Sequence, residues 1–122
     1  MTDAPPALDA ETVRTFVANA HGDRDAVRDA LGGEPRLVNA TWDWGGGDWE
    51  TALGAASHMH RRDIAELLLA HGARLDIFAA AMLGLVEVVR AVFAAHPEMR
   101  EAIGPHGIPL SAHAQGDVVA LF

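Results

Sequence analysis

Seven histidines, two serines, three consecutive glycines and a cluster of acids and tryptophans are the residues of this 122-residue chain that could carry chemistry. His58 and His60 stand two apart, and His71 follows one helical stretch later. A helix of about eight residues spans roughly 12 Å, which places His71 at the far end of its unit. A zinc site needs three or four convergent ligands. This spacing offers a pair, so no metal is expected. Ser57 and Ser111 are the only serines, and neither sits in a G-x-S-x-G elbow. The run Gly45-Gly46-Gly47 lacks the phosphate-loop pattern, and the chain has no Lys to complete one. Asp43 and Asp48 could flank a glycosidic bond; on a glycine-rich loop without enclosing walls they read as solvated carboxylates. No catalytic residue and no cofactor are expected, and the chain reads as non-enzymatic.

Binding offers more. Trp42, Trp44 and Trp49, all the tryptophans of the chain, fall between Ala40 and Glu50 beside Asp43, Asp48 and Glu50. Tryptophan is strongly enriched at interaction hot spots, and a partner presenting Arg or Lys would meet both ring faces and carboxylates. The rival is that Trp42 and Trp49 fold back as a local satellite core. A second reading makes the Trp segment, with His58 and His60, a small-ligand or metal binder.

Composition narrows the partner. The formal charge is −8 and every cation is Arg. An acidic surface without a basic patch suits neither nucleic acid nor an anionic membrane. Cysteine is absent, which excludes disulfides and thiolate zinc sites. The start, MTDAPPALDAE, has no basic or apolar signal region, and no stretch approaches the roughly 18 apolar residues of a membrane span. A cytoplasmic protein that binds another protein is expected. High Ala content without Lys fits a GC-rich, bacterial genome.

The elements that must hold these residues are helical. Ala, Leu and Val dominate the apolar half, a mix suited to close-packed helices. Three segments align, around Val17–Val27, Ala55–Ala65 and Ala79–Val89. Each has a small-residue helix, a breaker at Gly22, His60 or Gly84, then an acid and an apolar stripe. Left-handed C-caps are expected at the three breakers. Thr51-Ala52-Leu53-Gly54-Ala55-Ala56-Ser57, followed by Ile64-Ala65-Glu66-Leu67-Leu68-Leu69-Ala70-His71-Gly72-Ala73-Arg74-Leu75-Asp76, resembles one full ankyrin repeat. The resemblance implies an all-α ankyrin-repeat solenoid of about 3–3.5 helix-turn-helix repeats in one domain over 1–122. The repeats fall at about 10–40, 50–76, 77–97 and 107–122, with the Trp-rich finger at 40–50.

The departures carry information. Gly22 and His60 stand further apart than the family's period of about 33 residues, and His60 and Gly84 closer. One enlarged hairpin finger and one missing finger are therefore expected. The resemblance also implies a concave groove lined by fingers and inner helices, with His21, His58, Met59, Met82 and Leu83 flanking the tryptophans. At the far end Val118, Leu121 and Phe122 are apolar where a capping repeat is normally polar, which suggests self-association through that end.

Overall fold

The computed structural model describes residues 4–122. Local sequence starts most helices. Asp9 accepts from the Thr12 amide to open α1 (Ala10–Asn19), and Asp23 accepts from the Ala26 amide to open α2 (Arg24–Gly33). Each cap satisfies one of the amides that a helix start leaves without a partner. In α1 the residues Val13, Phe16 and Val17 are buried, and in α2 Val27 and Leu31, the spacing of a single helical face. A 3-10 turn over Pro35–Asn39 then leads into β1 (Thr41–Asp43) and β2 (Trp49–Thr51). They pair antiparallel, with Trp42 opposite Glu50 and Asp43 opposite Trp49. At the tip, the Asp43 carboxylate accepts from the amides of Gly45 and Gly47.

Thr51 caps α3 (Ala52–His58), which leads to α4 (Arg62–Ala70). Residues 73–76 cross directly to α5 (Ile77–Met82), which Asp76 caps, and α6 (Val86–Ala95) follows. The last part has 3-10 turns at Pro97–Glu101, Pro105–Gly107 and Gly116–Leu121, and a four-residue α7 (Leu110–His113). Helix α3 packs on α1, α4 and α5, and α5 on α6 and α7. Small side chains permit these close approaches: Ala52 to Ser57 and Ala79 to Met82 are buried without a break.

The expected all-α ankyrin-repeat solenoid does not stand. The chain is mostly helical, but it carries a two-stranded antiparallel sheet, and its units are not copies of one another. One connection is a hairpin, the next is an extended crossing, and a third is a single bridge between Ile103 and Pro109. The final unit is a short helix followed by a 3-10 turn. Unequal connections prevent one rotation from repeating along the stack, which is what a solenoid requires. The caps also differ from expectation. His60 (φ 55°) and Gly84 (φ 72°) are left-handed, whereas Gly22 is not, and its carbonyl instead accepts from Arg61. Val118 is buried and the Phe122 ring stands edge-on to Phe93, so the apolar end packs on α6 of its own chain. Among the described residues no helix is long and apolar enough to cross a membrane.

One glycine holds the last turn in place. A Cβ on Gly104 would lie 2.8 Å from Cε1 of Phe78, whose ring is tilted against His113 at 5.0 Å. Gly104→Ala should destabilise the chain by about 1–3 kcal/mol through this overpacking. The readout is a lower urea midpoint at constant m value. An unchanged midpoint would mean that the ring moves aside freely.

Candidate metal centre

Four segments bring one donor each to a common point. His21 follows the end of α1, and its Nδ1 donates to the carbonyls of Val17 and Ala18 (3.1 and 3.0 Å). Glu50 sits in the middle of β2. Strand alternation turns it inward to 1% exposure, while its neighbour Trp49 is turned outward at 59%. His58 is the last residue of α3 and is largely buried. His106 sits in the turn Pro105–Gly107 with φ 61°; its amide donates to Asp48 Oδ1 (2.8 Å) and its Nδ1 to Asp48 Oδ2 (2.7 Å).

All three imidazoles aim Nε2 at the Glu50 carboxylate. His21 Nε2 is 3.2 Å from Oε1, and His58 and His106 Nε2 are 3.0 and 3.1 Å from Oε2. Trp44 Nε1 donates to Oε1 at 2.9 Å and orients the carboxylate. One ligand atom from each of His21, Glu50, His58 and His106 lies within 4.8 Å of the other three.

The hydrogen positions follow from the outer partners. Carbonyls and a carboxylate only accept, so Nδ1 carries hydrogen in both His21 and His106. Neutral imidazoles would then point bare Nε2 lone pairs at an anionic carboxylate. That arrangement requires positive charge between them, supplied by protons or by a cation. The buried atoms Glu50 Oε2 and His58 Nε2 make the same point, since each lacks an aligned hydrogen-bond partner despite their closeness. In a tetrahedral zinc site with bonds of about 2.1 Å, neighbouring ligand atoms are roughly 3.4 Å apart. The contacts of 3.0–3.2 Å between the imidazoles and the carboxylate approach that spacing.

In the metal-free chain the electrostatics favour a proton shared between His21 and Glu50. Burial would push the Glu50 carboxyl up, but the hydrogen bonds from His21 and Trp44 and the neighbouring imidazole charge hold it below the usual range. The Glu50 hydrogen bond raises His21. Burial lowers His58, and the charges of His21 and His106 add to that effect. The hydrogen bond from the His106 amide lowers Asp48. Zinc-ligating histidines characteristically donate their second nitrogen to a carboxylate or carbonyl; His106 and His21 each do one of these.

The residues singled out from the sequence are thus divided. His21, Glu50 and His58 form the cluster, while Trp44 and Asp48 support it. Trp42 packs against the core, Asp43 closes the hairpin tip, Trp49 and Met59 are exposed, and Met82 and Leu83 are buried in the core. The expected pair of His58 and His60 is split. His60 turns away through its left-handed backbone, and its Nε2 donates to the Ala112 carbonyl while Nδ1 accepts from Gln115. His71 bonds the Leu67 carbonyl at the end of α4. Sequence reasoning missed His106. Its signal was the turn Gly104-Pro105-His106-Gly107, which stacks beside the Trp-rich hairpin. Among the described residues no cavity opens at the cluster. Comparison with protein-family models, with curated proteins and with solved structures returns no match to this chain.

Proposed function

We propose that this protein binds one divalent transition-metal ion through Nε2 of His21, His58 and His106 and the carboxylate of Glu50. The observation that carries the reading is the convergence of three Nε2 atoms on one buried carboxylate, with Nδ1 of His21 and His106 held outward by acceptors. Three imidazoles and a carboxylate are donors of intermediate softness, suited to zinc and its first-row neighbours rather than to calcium or magnesium. Trp42 and Trp44 lie against the core and the histidines face Glu50, which favours this reading over recognition through a tryptophan finger, although Trp49 is exposed.

Isothermal titration of metal-free protein with zinc tests this directly, with cobalt absorption as a second readout of the coordination sphere. One equivalent should bind, and cobalt should give the intense visible bands of a four-coordinate site. Asp48→Asn keeps all four ligands but weakens the support of His106, and is expected to reduce zinc affinity by about 10–100-fold. Absence of saturable uptake would sink the proposal. Uptake untouched by Asp48→Asn would move the ion to surface histidines.

A further inference from the structure

We propose that the bound ion acts as a clasp: its ligation by His106 docks residues 102–122 on the hairpin, α3 and α5, and its removal lets that end open while α1 to α4 stay folded. The inference rests on the metal-centre reading and concerns what the ion does to the chain.

The four donors are unevenly distributed. His21, Glu50 and His58 sit on elements that share one continuous core, built from α1 to α4 and one face of α5. His106 is the single donor beyond that core. Its backbone is left-handed (φ 61°), followed by Gly107 at φ 72°. A residue with a Cβ adopts that conformation at a cost and keeps it only where its surroundings hold it. Here the hold consists of two hydrogen bonds to Asp48 and the approach to Glu50. The ion would add a bond at the same residue.

The segment that follows has little packing of its own. From residue 102 onward only Leu110, His113 and Val118 are buried, and the elements are a four-residue helix and 3-10 turns. One of those three, His113, buries an Nε2 without a partner. Its ties to the body are Leu110 and Val118 packed among Ala80, Ala81, Val89 and Phe93, the Phe122 ring on Phe93, and hydrogen bonds such as the Gln115 backbone amide to the Ala81 carbonyl and His60 to the Ala112 carbonyl. Ordering such a stretch against its conformational entropy with so few buried apolar groups is marginal. Low-density segments of this kind open locally before the rest of a fold. A ligand bond at His106 would fix the head of the segment against the hairpin.

Hydrogen exchange of the full chain, metal-free and zinc-saturated, tests the clasp alongside a calorimetric titration of the same sample. Zinc should slow amide exchange in residues 110–121 by about tenfold or more, with α2 and α4 changing less than about threefold. His106→Gln leaves three donors on the body; at saturating zinc it should add no protection to residues 110–121. Uniform slowing over the whole chain would overturn the clasp, since it would mark a single cooperative unit. Full protection of that end in His106→Gln would overturn it too. Failure of zinc to bind in the titration would overturn the metal-centre reading and the clasp with it, whereas binding without local protection would overturn the clasp alone.

Discussion

With zinc at about a thousand times its dissociation constant, the thermal midpoint of the wild-type chain is expected to rise by roughly 10–20 °C. Glu50→Gln should remove most of that rise. Ligand binding to the folded state alone stabilises by about 4 kcal/mol at that excess, and for a domain of this size each 1 kcal/mol moves the midpoint by about 3–5 °C. Glutamine keeps the shape of Glu50 and an oxygen for the Trp44 indole N–H, but it withdraws the anionic ligand. Three neutral imidazoles would then have to hold a dication without charge compensation. The measurement is thermal unfolding by circular dichroism in chelator and in zinc, with both proteins at one concentration. A wild-type midpoint indifferent to zinc would remove the metal centre. A Glu50→Gln midpoint that rises as far as wild type would place the ion elsewhere.

Stability should also fall steeply in mild acid, for a reason separate from the metal. His113 is fully buried, and Ser57 Oγ lies 2.7 Å from its Nδ1. Burial, with added repulsion from His58 and His60, lowers its folded pKa from 6.5 to about 4. Its folded pKa therefore lies below its unfolded one, so the unfolded chain takes up this proton first as pH falls. The stabilisation from a neutral His113 is complete above about pH 6.5 and is lost progressively down to about pH 4. A shift of this size corresponds to about 3 kcal/mol. His113→Leu removes the titration and the unpartnered Nε2 together. In metal-free protein its unfolding free energy should decline less between pH 6.5 and 4 than that of wild type, by about 3 kcal/mol. Urea denaturation at a series of pH values reads this out, and parallel pH profiles for the two proteins would contradict it.

Particular residues show how far the chain could be read without its fold. The left-handed caps expected at His60 and Gly84 form, and the apolar stripe of the second aligned segment packs inward at Ile64 and Leu68. These outcomes depend on neighbours within one helical turn. The ankyrin-repeat solenoid failed because local helix signals do not determine how unequal connections stack the helices. The Trp-rich hairpin lies between these extremes. Period-two alternation requires Trp49 and Glu50 to face opposite sides, yet ordinary burial preferences would place the tryptophan inside. The structure reverses that choice, because three imidazoles from other elements receive the carboxylate.

The same division holds for the site. By itself the sequence determined helix starts, the alternation of the hairpin, the absence of thiolate ligands and the acidic balance, all of which follow from composition or from contacts a few residues long. Only the tertiary structure decided that His21, Glu50, His58 and His106 meet, that His60 turns away, and that Trp42 and Trp44 lie against the core while Trp49 is exposed. Convergence of donors from both halves of the chain is a property of how elements stack. Spacing along the backbone carries no record of it once the chain leaves a single helix or strand.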